Sequence, residues 1–61
     1  METKIYYIQN TNELDEALEN IENNFPCFVN REFIEMNYSK IEIQFRNEDA
    51  ISIDKILTQL V

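Results

Sequence analysis

A chain of 61 residues without one glycine must reverse direction at every turn without the residue that adopts positive φ at least cost. Its turns then fall to Asn, Asp and Ser, which tolerate tight backbone and bond their own main chain. Asparagine stands accordingly at the expected junctions: Asn10, Asn12, Asn23, Asn24, Asn30, Asn37 and Asn47. Pro26 is the only proline, and no linker, repeat or low-complexity segment divides the chain. One domain is expected, spanning 1–61. So short a chain buries only about 60% of its unfolded surface, and its core must be thin. With 44% of residues apolar there is material for one layer of helices on one sheet.

Lys4 to Gln9 is rich in β-branched and aromatic residues and reads as a strand. Its centre, Ile5-Tyr6-Tyr7-Ile8, is apolar at every position, so both faces carry hydrophobic side chains. Such a strand is central and covered twice, or its second face meets something else. Thr11 to Phe25 reads as a helix, with Thr11 or Asn12 as cap and Leu14, Ala17, Leu18, Ile21 and Phe25 as its apolar stripe. Pro26 ends it, because a residue before proline disfavours the helical region.

Cys27 to Met36 suits a strand, interrupted by the polar run Asn30-Arg31-Glu32. A bulge near Asn30 is expected, with a short helix from Asn30 as the alternative. Asn37-Tyr38-Ser39 then forms the hairpin turn. Lys40 to Arg46 alternates strictly, Ile41, Ile43 and Phe45 against Glu42, Gln44 and Arg46, as a half-buried strand does. Asn47 to Val61 is expected to be the second helix, capped by Asn47 and burying Ala50, Ile53, Ile56, Leu57, Leu60 and Val61. Ile51 is its misfit, and a second hairpin from Phe45 to Ile53 is the competing reading.

The fold class that follows is α+β, a two-layer β-α-β-β-α sandwich with a three-stranded antiparallel-type sheet and two helices on one face. It resembles a ferredoxin-like fold lacking its last strand. That is a likeness of architecture and implies no activity.

Catalytic chemistry finds little to work with. There is no histidine, the commonest general base and metal ligand. Cys27 is the only cysteine, so no disulfide staples the chain, and no base is evident beside the thiol. A small buried thiol is the expected role. Carboxylates are plentiful, but acid–base work needs two of them in unlike environments within a cleft, which a thin core does not build. Asn47, Glu48, Asp49 and Asp54 match no EF-hand spacing. No enzymatic activity, metal or cofactor is expected. Met-Glu-Thr-Lys-Ile lacks a signal-peptide pattern, and no apolar stretch approaches the roughly 20 residues that span a bilayer, so a cytoplasmic location without membrane contact is expected.

Two surfaces stand out as candidates for binding. Twelve Asp and Glu against five Lys and Arg give a net charge of −7. Between Lys4 and Arg31 no basic residue interrupts the acids of the first helix, whose Asp15, Glu16, Glu19 and Glu22 share one broad side. Solvated helix faces commonly mix both signs, so this side is a candidate for a basic partner. The second surface is the sheet face turned from the helices. It should receive one of the pairs Ile5/Tyr7 and Tyr6/Ile8 plus Phe33 or Ile34 and Met36, giving Tyr6, Tyr7, Ile8, Phe33, Glu42, Gln44 and Arg46 as candidate partner or dimer residues.

The leading functional expectation is an inhibitor or regulator that occupies a basic, nucleic-acid-binding protein by imitating phosphates. The strategy resembles that of small phage and mobile-element inhibitors of restriction or CRISPR nucleases. The alternatives are a homo-oligomeric subunit built on the open sheet face, or a single-stranded nucleic-acid binder stacking bases on tyrosines beside Arg31, Lys40 and Arg46. A charge of −7 opposes direct nucleic-acid binding. A homodimer or tight heterocomplex through the sheet is expected.

Overall fold

The alternating strand is the centre of the molecule. In the computed structural model, which describes residues 1–60, β1 (Glu2–Gln9) and β2 (Cys27–Phe33) both pair antiparallel with β3 (Tyr38–Phe45), giving the order β1-β3-β2. Ile41, Ile43 and Phe45 on one face of β3 are fully buried, while Gln44 on the other is exposed. α1 (Asn12–Asn24) links β1 to β2, which run parallel with β3 between them, and so crosses one face of the sheet. A single 3₁₀ turn (Asn47–Asp49) runs from β3 into α2 (Ala50–Thr58), which lies beside α1. The α+β sandwich expected from the pattern is the one observed.

Each helix is set by its own local chemistry. The Thr11 hydroxyl accepts from the Leu14 amide at 3.2 Å and caps α1, and the Phe25 amide closes the last turn on the Ile21 carbonyl at 2.9 Å before Pro26. Leu14, Leu18 and Ile21 face the sheet and are buried with Ile8, Ile41, Ile43, Phe45, Ile53 and Leu57 in one core. Each such side chain stabilises the fold by roughly 1.5–3 kcal/mol relative to leaving it in water. Residues 50–58 are helical, so the competing hairpin from Phe45 does not form, and Ile51 stands outside the core at 84% exposure. Asn47 is not the cap. Arg46 precedes the 3₁₀ turn and binds the carboxylate of Asp49 at 2.8 Å, so an ion pair organises the entry to α2. Leu60 makes the last turn contact, and Val61 lies outside the described residues.

Of the two readings of β1, the twice-covered central strand does not form: β1 is an edge strand, and Ile5 and Tyr7 on its second face stay open. Two other expectations are corrected. The β2–β3 register runs unbroken from Cys27↔Phe45 to Phe33↔Ser39, which leaves no room for a bulge or short helix at Asn30. Arg31, at the centre of the polar run that suggested a break, sits on the helix-facing side of β2, where polar partners receive its head group. In addition, β2 ends at Phe33, Tyr38 and Ser39 belong to β3, and the reversal uses Ile34–Asn37. Two-residue hairpin turns need positive φ, and no described residue adopts it. The chain closes instead through a wider loop, with the Ile34 and Glu35 amides donating to the Tyr38 carbonyl and the Asn10 amide to that of Asn37.

Candidate binding surfaces

With both helices on one face, the other face of the sheet is bare. The pairing register assembles it in rows: Thr3–Gln44–Phe28, Ile5–Glu42–Asn30 and Tyr7–Lys40–Glu32, with Gln9 and Tyr38 beyond. Ile5 is 49% exposed, Tyr7 58%, Phe28 71% and Tyr38 44%. Large apolar side chains from all three strands thus share one uncovered surface, an arrangement that in small proteins usually marks an interface.

Of the residues expected there, Tyr7, Glu42 and Gln44 are in place. Tyr6 and Ile8 are not, because they alternate with Tyr7 and point toward the helices: Ile8 is core, and the Tyr6 hydroxyl donates to Asp54 Oδ1 at 2.6 Å. Phe33 shares the helix-facing side of β2 with Arg31, whose guanidinium lies 4.7 Å from its ring centroid, and is exposed at the sheet's end. Arg46 turns its head group to Glu48 and Asp49. Phe28 and Tyr38 complete the face and were not expected there, whereas Ile5 arrives with Tyr7 as one of the two pairs considered.

The acidic side of α1 is only partly assembled as expected. Asp15, Glu19 and Glu22 line a shallow groove between α1 and β2, together with Leu18, Val29 and Arg31. Glu16 does not line it, being about 100° around the helix from Asp15. Asp15 is not free: Arg31 Nη1 binds its carboxylate at 2.7 Å, so a cation from β2 relieves part of the repulsion within the helix. Glu13, Glu16, Glu19 and Glu22 make no ion pair among the described residues.

Arg31 is the polar junction of the molecule. Its Nε donates to Ser39 Oγ at 3.2 Å and its Nη2 to Asn10 Oδ1 at 3.1 Å, and the fully buried Ser39 hydroxyl donates to the same Asn10 oxygen. One guanidinium therefore joins β2, β3, α1 and the β1–α1 link. Of the cations considered for base stacking, only Lys40 remains on the open face without an ion pair among the described residues.

On the helix side, Tyr6 and Lys4 converge on one oxygen of Asp54 and tie β1 to α2. Burial, then the hydrogen bond to Asp54, raises the Tyr6 phenol well above its ordinary 10.0, while the bonds from Tyr6 and Lys4 hold the Asp54 carboxyl below its ordinary 3.8. A raised phenol stabilises below pH 10 and loses that contribution as pH climbs. A depressed carboxyl stabilises above pH 3.8 and loses it as pH falls. Melting temperature is thus expected to decline at both extremes, and Tyr6→Phe should lower it at neutral pH while flattening its alkaline decline. An unchanged alkaline decline in Tyr6→Phe contradicts the link. Cys27, half-buried, points its thiol at the Ile21 carbonyl at 3.9 Å, and burial followed by the charges of Glu22 and Asp49 pushes its pKa up, the opposite of a reactive thiol.

Among the described residues no cluster of His, Cys, Asp and Glu has the arrangement to hold a metal ion, and no helix is long and apolar enough to cross a membrane. No protein-family model matches the chain, and neither the curated proteins nor the solved structures include a significant match.

Proposed function

We propose that the protein is a non-catalytic protein-binding module, a regulator that presents its acidic helix layer to a basic, nucleic-acid-binding protein. The observation that carries the reading is the two-sidedness of the surface. Apolar and aromatic side chains are gathered on the bare sheet face, whereas Glu16, Glu19 and Glu22 stand unpaired on the helix layer. Complementary fields raise association rates and select against partners of like charge. An acidic ridge of this kind can stand in for a phosphate backbone. Nucleic acid and the protein would then compete for one basic surface.

The structure sharpens the test. Asp15 is best left alone, because changing it would break its bond to Arg31. Glu16→Gln, Glu19→Gln and Glu22→Gln together remove three charges and no intramolecular ion pair. The triple variant should fold with stability within about 0.5 kcal/mol of wild type, as surface changes usually do. Wild-type protein immobilised in host lysate should retain a basic protein that added salt releases, and duplex DNA should displace it. The triple variant should bind that partner roughly tenfold more weakly. Equal retention by both proteins rejects the acidic contact.

A further inference from the structure

We infer that the bare sheet face is occupied by a second copy of this chain, related by a two-fold axis that crosses β3 at the level of Ile41. The inference goes beyond the reading above and does not depend on the acidic helix. Local charge on this face is low. Although the chain carries −7, the open face holds only Lys40, Glu42 and Glu32 as charged strand positions, so it suits a nearly neutral partner better than a basic one.

The face is also self-complementary. Lys40 and Glu42 are successive open-face positions on the central strand, with opposite signs, and neither makes an ion pair among the described residues. An axis lying in the interface and perpendicular to β3, midway between them, places Lys40 opposite Glu42 of the second copy and the reverse. The same operation lays β1 over β1 and sets Tyr7 against Ile5 of the second copy. Gln44 then meets Tyr38 of the second copy, whose hydroxyl can bond its amide. An axis running along β3 instead would oppose Lys40 to Lys40 and Glu42 to Glu42. Charge thus selects one of the two ways a sheet can face itself, in an isologous contact of the kind two-fold dimers use.

Size is compatible with such a contact: strands of seven and eight residues, at about 3.3 Å per residue and about 4.8 Å apart, present a face of roughly 25 × 14 Å, whose side-chain relief brings it toward the lower end of the ~600–1,000 Å² per partner of specific interfaces. The product is a four-layer assembly, helices–sheet–sheet–helices, with an acidic helix layer on each outer side.

Sedimentation velocity at tens of micromolar should give wild type at twice the chain mass. Lys40→Glu and Glu42→Lys should each weaken the dimer by roughly tenfold, since every symmetric pair becomes a like-charge contact. The double exchange Lys40→Glu with Glu42→Lys should restore it. Both positions are partly exposed, and circular dichroism of each variant establishes that it is folded. A folded wild type that stays monomeric overturns the inference, as does a double exchange no better than the singles. A monomer that still captures a basic protein fails this inference alone, and a dimer with no basic partner fails only the acidic-partner reading.

Discussion

Phe45→Ala is expected to remove most of the chain's stability at 25 °C. Phe45 is fully buried at the end of the central strand, where it pairs with Glu2 on β1 and Cys27 on β2. Truncating a buried Phe costs about 3–5 kcal/mol, part lost transfer energy and part cavity. Domains have about 0.05–0.15 kcal/mol of stability per residue, so a chain of 61 residues holds about 3–9 kcal/mol. One substitution thus removes much or all of it. Phe45→Leu keeps most of the volume and should cost no more than about 1.5 kcal/mol. Urea titrations followed by circular dichroism, at one protein concentration because association shifts the midpoint, compare the two. A Phe45→Ala protein destabilised by under 1 kcal/mol contradicts its place in the core.

Arg31→Met should be the most damaging change at a polar position, at about 1.5–3 kcal/mol, the range for hydrogen bonds to a charged group. Methionine keeps the apolar stem and removes the fork that serves Ser39, Asn10 and Asp15. Asp15 is mostly exposed and regains water, so the cost lies with the buried Ser39 and its neighbour Asn10. Asp15→Asn should therefore cost less than about 1 kcal/mol, as exposed ion pairs do. Arg31→Lys retains charge without the planar fork and should fall between the two. If Asp15→Asn and Arg31→Met proved equally costly, the ion pair and not the buried network would be the source of stability.

These residues also show where sequence stops being informative. The Leu14–Leu18–Ile21 stripe, the Thr11 cap and the Pro26 stop all act within a few positions along the chain, so α1 was readable to within a residue or two. β3 was readable for the same reason, because strict alternation names its buried face without reference to neighbours. The run Asn30-Arg31-Glu32 was misread as a break because polar residues in a strand look like an interruption until Ser39 and Asn10 are seen to receive Arg31 and the open face to receive the other two.

Local pattern was enough for α1, the alternating strand β3, the two-layer class and the run of acids on α1, whereas the hairpin reading of residues 45–53 was excluded only by the folded chain. Nor could local pattern choose between the faces of Ile5-Tyr6-Tyr7-Ile8, since a period of two says which residues share a face and not which face is covered. The tertiary structure made that choice through the register of β1 on β3, which put Tyr6 and Ile8 on the helix side with Ile41 and Ser39 and left Ile5 and Tyr7 bare. The β1–β3 pairing joins segments roughly thirty to forty positions apart, such as Tyr6 with Ile41, and no local propensity encodes it. The same nonlocal pairing aligned Lys40 and Glu42 with Tyr7 and Ile5 into one surface.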